Sequence, residues 1–202
     1  MYLIGDIGNT AIKICLFNNN LKLIKNIKIH KKNINKKFVL QELLFLKDYN
    51  SKINKILFSS VVPNSYKIIK KTIKEITKLN CEELKNYNLK KFINIRVNRK
   101  QIGSDRLANA IAVIDSRFNY IIVDFGTATN FDIVIKKDYI GGVLAPGVEL
   151  SLKNLIDKAS LIPKIKLEKT TKVIGKNTKS AVRAGFYLSL IHISEPTRPS
   201  QI

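Results

Sequence analysis

A strand–turn–strand that occurs twice limits the possible folds more than any other feature of the chain. The first copy reads Tyr2-Leu3-Ile4-Gly5-Asp6-Ile7-Gly8-Asn9-Thr10-Ala11 and continues to Phe17. The second reads Tyr120-Ile121-Ile122-Val123-Asp124-Phe125-Gly126-Thr127-Ala128-Thr129 and continues to Ile135. At an offset of 118 residues, Tyr2 falls on Tyr120, Asp6 on Asp124 and Gly8 on Gly126. Each copy is an apolar strand ending in an aspartate, then a glycine turn with small polar residues, then a second β-rich run. The rigid strand fixes the carboxylate, and glycine lets the backbone approach a ligand with no Cβ in the way. Turn N–H groups and hydroxyls can hold phosphate oxygens, and the aspartate can hold a cation that neutralises them. One Asp-x-Gly also marks ordinary hairpins; two matched copies at the starts of successive units are far more specific.

The periodicity between and after the copies predicts an α/β chain. Strands are expected over 2–7, 11–17 and 21–29, and a helix over 36–48 with Phe38, Leu40, Leu43, Leu44 and Leu46 apolar. A strand from Ile53 to Val62 stops at Pro63, and a helix follows over 64–78 with Ile68, Ile69, Ile73 and Ile76 on one face. A basic, poorly patterned link covers 80–91, then a short strand from Phe92 to Val97 and a helix over 104–117. The second copy opens strands over 119–124, 129–135 and 139–144, with a helix after Pro146.

Composition removes several function classes. No run of eighteen apolar residues is present, so no transmembrane helix is expected. The apolar N-terminal stretch is too short for a signal peptide and ends in Asp6, which predicts a cytoplasmic protein. Cys15 and Cys81 are the two cysteines, and His30 and His192 lie far apart, which argues against zinc chemistry. Cys15 alternates with Ile14 and Leu16 and is expected in the core. The formal charge is +21, but the lysines are scattered through Asn- and Ile-rich sequence rather than gathered in one block. That pattern is read as compositional bias, with no specific nucleic-acid partner. A positive field still helps draw in an anionic nucleotide and a carboxylate substrate. Gly175-Lys176-Asn177-Thr178 is not a P-loop, because the glycine required five residues earlier is Thr170.

The arrangement resembles the superfamily of actin, sugar kinases and heat-shock chaperone ATPases. That resemblance implies two ribonuclease-H-like domains, each with a central mixed sheet, and ATP in the cleft between them. The expected boundaries are 1–117 for the first domain and 118–188 for the start of an incomplete second one. Within the superfamily the motifs resemble type III pantothenate kinase. They are Asp6-Ile7-Gly8-Asn9-Thr10, Gly103-Ser104-Asp105-Arg106, Asp124-Phe125-Gly126-Thr127-Ala128-Thr129, Gly141-Gly142 with Pro146-Gly147, and Gly175-Lys176-Asn177-Thr178. The resemblance spans about residues 1–187. Beyond it, Leu190 to Pro199 fits nothing in the family and reads like translated adapter DNA, so 189–202 is expected to be an artefactual tail.

The family implies ATP-dependent phosphorylation of pantothenate to 4'-phosphopantothenate, the first step of coenzyme A biosynthesis, by a homodimer. The alternative on the same scaffold is a non-catalytic regulatory or transcription accessory protein. The resemblance puts Asp6, Gly8, Asn9, Thr10, Lys13 and Thr127 on the ATP phosphates, with Asp6 acting on magnesium through water. It gives Asp124 a monovalent cation, K+ or NH4+. Gly103, Ser104, Asp105, Arg106 and Thr178 become the pantothenate-binding residues, with Asp105 accepting the proton of the substrate's primary hydroxyl. Other readings stay open: Asp105 as a helix-start carboxylate balancing the dipole, Arg106 as a surface ion pair, and Thr178 as a helix N-cap. The sequence departs from the family before Gly103, where Arg96 and Arg99 stand in place of a tyrosine and a proline.

Overall fold

The computed structural model describes residues 1–194, with the side chains of 190–194 left aside; most of the expected tail, 195–202, lies outside the described residues. Five strands form the first sheet in the order β3-β2-β1-β4-β5. They are β1 (Tyr2–Ile7), β2 (Ala11–Phe17), β3 (Leu23–His30), β4 (Lys55–Ser60) and β5 (Glu82–Glu83). β1 pairs antiparallel with β2 and parallel with β4, so this is a mixed sheet of ribonuclease-H-like order. β1 therefore has a neighbour on each edge, and its alternate residues Leu3 and Ile7 are fully buried.

Two helices cover this sheet. α1 (Lys36–Leu43) begins at Asn35, whose side chain accepts the Phe38 N–H as an N-cap. α2 (Pro63–Thr77) starts on the proline, which lacks the N–H a first turn cannot use, and ends at Lys78 in the left-handed region at φ 61°. Val39, Leu43, Ile69, Ile73 and Ile76 pack with Leu3, Ile12, Ile14, Leu16 and Phe58 into one core.

A second sheet has the order β6-β9-β8-β7, formed by β6 (Asn94–Ile95), β7 (Asn119–Phe125), β8 (Ala128–Ile135) and β9 (Asp138–Pro146). α3 (Ser104–Val113) lies against one face, where Leu107 and Ala110 share a core with Ile102, Val134 and Tyr139, and with the half-buried Ile122. Two further helices follow, α4 (Val148–Lys158) and α5 (Thr178–Ser194). The chain divides into two compact units, residues 1–123 with 131–143, and residues 124–130 with 144 onward.

Several expected boundaries move. The 36–48 helix turns 3-10 after Leu43, and that form runs from Leu44 to Lys52. The helix after Gly103 stops at Val113 rather than 117. The strand expected from Phe92 to Val97 shrinks to two paired residues. The link over 80–91 is not patternless: it holds β5 and two 3-10 turns, with Cys81 and Leu89 buried. Cys15 is half-buried rather than in the core, because Ile14 and Leu16 occupy the inward face; the buried thiol is Cys81.

Candidate active site

In the first unit, several of the predicted residues gather where parallel strands β1 and β4 end. Asp6 lies in register with Ser59 on β4 and with Lys13 on β2, so the acid and the lysine are direct cross-strand neighbours. Both are exposed. The hairpin between them is closed by the Gly8 N–H, which donates to the Ala11 carbonyl at 3.0 Å. Gly8 therefore supplies the turn, and its own N–H is taken by that bond. Carboxyl ends of parallel strands are where α/β sheets bind ligands.

The start of α3 is tied to the same edge. Ser104 is fully buried. Its Oγ accepts the Ser60 N–H at 2.8 Å and donates to Ser59 Oγ at 3.0 Å. The Ser104 hydroxyl is thus committed to the end of β4. Asp105, the next residue, is half-buried in the first helical turn, and its Oδ1 accepts the Arg106 N–H at 2.8 Å. Gly103 makes room for it, since a Cβ there would stand 2.2 Å from that oxygen. One oxygen of the carboxylate is thus bonded to the helix start, in keeping with one of the two readings.

Arg106 is not a surface ion pair. Its side chain is 14 % exposed, and its partner Asp132 is 0 % exposed. Nε and Nη2 both meet Asp132 Oδ1, at 2.8 and 2.6 Å, and the Tyr139 hydroxyl donates to the same oxygen at 2.5 Å. Burial works against the guanidinium charge, but the hydrogen bond and charge of Asp132 outweigh it, and the pKa of Arg106 is raised. Burial first, then the bond to Asp132, pushes the Tyr139 hydroxyl well above its ordinary range, so it stays a proton donor. Asp132 Oδ2 is buried without a hydrogen-bond partner, a cost of about 1–3 kcal/mol for such a group. Neither Asp132 nor Tyr139 was expected from the sequence. The signal for Asp132 was a carboxylate set among Phe131, Ile133 and Val134 in a β-branched strand.

In the second unit, Asp124 is half-buried and Thr127 lies in the turn that follows it. The Gly126 N–H closes that turn on the Ala128 carbonyl, and the Gly147 N–H, at the start of α4, donates to the Thr127 carbonyl, both at 3.0 Å. Thr178 is the first residue of α5, but the N-cap is Asn177. Asn177 Oδ1 accepts the Ser180 N–H at 2.9 Å, and the Asn177 N–H donates to Ser180 Oγ at 3.1 Å, a reciprocal capping box. Thr178 is exposed beside it.

Residues 2–196 match the type III pantothenate kinase family. The chain belongs to this family. A type III pantothenate kinase of Pelagibacter ubique (strain HTCC1062) is 56 % identical over 187 residues, which is 93 % of this chain and 75 % of that protein. One from Sulfurihydrogenibium sp. (strain YO3AOP1) is 36 % identical over 204 residues, covering 96 % of this chain and 80 % of its own length. The fold is similar to a crystal structure from Campylobacter jejuni described as a Baf family transcriptional activator, with a TM-score of 0.54, 18 % identity, and coverage of 95 % and 76 %. The two departures from the family motif acquire concrete places. Arg99 Nη2 donates to the carbonyls of Lys85 and Tyr87, both at 2.6 Å, and so fastens the preceding link. Arg96 pairs with Asp138 at 2.9 Å on the surface.

Proposed function

We propose that this chain transfers the γ-phosphoryl group of ATP to the primary hydroxyl of pantothenate, giving 4'-phosphopantothenate and ADP, the first step of coenzyme A biosynthesis. The observation that carries the reading is the fixed start of α3. Asp105 stands between a buried Ser104 and a partly buried Arg106, at the strand end that also bears Asp6. Phosphoryl transfer needs positioning and charge stabilisation more than covalent help, and this arrangement supplies both.

In the proposed reaction, Asp105 accepts the hydroxyl proton as the hydroxyl oxygen bonds to the γ-phosphorus, and the bond to the ADP oxygen breaks. Arg106 offers its remaining N–H groups to an anionic oxygen of pantothenate. Gly103 and Thr178 complete the substrate-binding set. Asn9, Thr10, Lys13 and Thr127 hold phosphate oxygens. Magnesium arrives with ATP and neutralises those oxygens; a single exposed carboxylate fits it, because this ion keeps most of its water and is commonly held by one or two carboxylates plus phosphates. Among the described residues no cluster of three His, Cys, Asp or Glu forms a protein-only metal cage, and Asp6 is the group assigned to magnesium through water. Asp124 is the residue proposed for a monovalent cation, K+ or NH4+, as one carboxylate contributing to an oxygen-lined site. No helix of the described residues is long and apolar enough to cross a membrane. The reading includes a cytoplasmic homodimer.

The test is direct. The chain is incubated with γ-labelled ATP, Mg2+, K+ and pantothenate, and label is followed into phosphopantothenate. Transfer that needs pantothenate supports the proposal. A folded chain that binds ATP and leaves pantothenate unlabelled overturns it.

A further inference from the structure

We infer that Asp132, Tyr139 and Gly142 form a socket that sets the orientation of the Arg106 guanidinium for the anionic end of pantothenate, making Asp132 and Tyr139 positioning residues for substrate binding. The inference rests on the proposed placement of Arg106 against the substrate.

The geometry is built around one atom. Asp132 Oδ1 receives Arg106 Nε, Arg106 Nη2 and the Tyr139 hydroxyl, all within 2.8 Å. Two contacts along the same edge fix the plane of the guanidinium, because the group is rigid and its donors form a flat fork. The opposite edge, with Nη1, is left for an oxyanion. Tyr139 is fully buried and holds the acceptor oxygen from β9, while Asp132 comes from β8. Gly142 completes the socket: a Cβ there would stand 2.8 Å from Arg106 Nη2, 3.0 Å from Asp132 Oδ1 and 2.1 Å from the Phe131 carbonyl. The Gly141-Gly142 pair of the sequence motif therefore has a local purpose, since Gly141 adopts φ 124° and Gly142 admits the arginine.

Stability alone does not account for this arrangement. Buried ion pairs are weak stabilisers compared with apolar side chains of similar size. This one also leaves Asp132 Oδ2 buried and unpartnered. A pair arranged only for attraction would use both oxygens of the carboxylate. Concentrating three donors on one oxygen instead fixes a direction, and direction is what a substrate-binding arginine needs.

Pantothenate and ATP kinetics are measured for Arg106→Gln, Asp132→Asn, Tyr139→Phe and the double variant Arg106→Gln with Asp132→Asn. Asp132→Asn is expected to raise KM for pantothenate about tenfold or more, as befits a lost hydrogen bond to a charged group. Tyr139→Phe is expected to raise it by about threefold, and KM for ATP stays within about twofold in both. In the Arg106→Gln background, Asp132→Asn adds no further rise, because the two act as a unit. If Arg106→Gln raises KM for pantothenate while folded Asp132→Asn and Tyr139→Phe keep the wild-type value, the socket is only structural and the inference fails. Additive effects in the double variant overturn it as well. If Arg106→Gln itself leaves KM unchanged, the substrate placement of Arg106 fails first, and the socket with it. Should Asp132→Asn not fold, Tyr139→Phe, which removes one hydroxyl, decides the matter.

Discussion

Leu3 and Ile121 hold the same place in the two copies of one motif, yet Leu3 is 0 % exposed and Ile121 is 69 % exposed. The same split separates Ile7 from Phe125, at 0 % and 56 %. The cause lies outside the motif. Leu3 and Ile7 lie on the face that packs against α1 and α2, whereas Ile121 and Phe125 alternate with Tyr120 and Ile122, the β7 residues that pack into the α3 core. The copies also differ at the turn. Three residues join β1 to β2, but two join β7 to β8, so the repeat offset drops from 118 to 117 after the glycine and Thr10-Ala11 matches Thr127-Ala128. The carbonyls of those threonines confirm the shifted register, since Thr10 accepts the Lys31 N–H after β3 and Thr127 accepts the Gly147 N–H after β9. A repeated motif thus dictates a hairpin with an acid at its end. Burial is decided by which face of the strand other elements cover.

Four measurements would break or sharpen this contrast. The largest expected effect concerns the acid that follows Ser104 at the edge bearing the first hairpin. Asp105→Asn should lower kcat by about 10²–10⁴-fold, the usual worth of a general base, with thermal unfolding unchanged; a wild-type rate removes the base from the mechanism. Next comes the pair of motif acids. Asp6→Asn should cost about 10²-fold in kcat/KM for magnesium-ATP, while Asp124→Asn should abolish stimulation by K+ or NH4+. Identical profiles for the two variants would mean that the copies are not functionally divided.

How far was this legible beforehand? The hairpins, the mixed α/β class, α2 from its Ile68-Ile69-Ile73-Ile76 stripe, and the Gly103–Arg106 helix start were all readable from pattern. Family resemblance picked out Asp6 and that helix start separately, but not that both stand at one strand edge. The 3-10 stretch after Leu43 was not readable, because an apolar spacing that continues through Leu44 and Leu46 does not report which hydrogen bonds the backbone chooses. The pinning of Ser104 by Ser59 and Ser60 was hidden as well, since those residues lie 45 and 44 positions apart from it. Asp132 was visible only as an oddity, its partner arginine being 26 residues away.

The third measurement tests burial itself. Leu3→Ala should destabilise the fold by about 2–5 kcal/mol, and Ile121→Ala by no more than about 0.5 kcal/mol, both read by denaturant unfolding. Equal costs would refute the difference between a covered and an exposed sheet face. The smallest effect lies on the pH axis of the first sheet's core. Burial pushes the Cys81 thiol up to about 11 from 9.0, despite opposing contributions from Tyr66 and Lys70. Because the folded state holds this proton more tightly than the unfolded one, its contribution is full below pH 9 and falls away as pH rises from 9 through 11. That amounts to about 2–3 kcal/mol, seen as the difference in alkaline unfolding between the parent chain and Cys81→Ala. The half-buried Cys15 should react with a thiol reagent while Cys81 is still protected.

The residues on either side of Asp105 are both fastened into the interior, one to a strand and the other to a neighbouring sheet. On heating, the first turn of α3 therefore has no independent way to fray. Catalysis and secondary structure are expected to fail at one common temperature, with no warm interval in which the chain is still folded but idle.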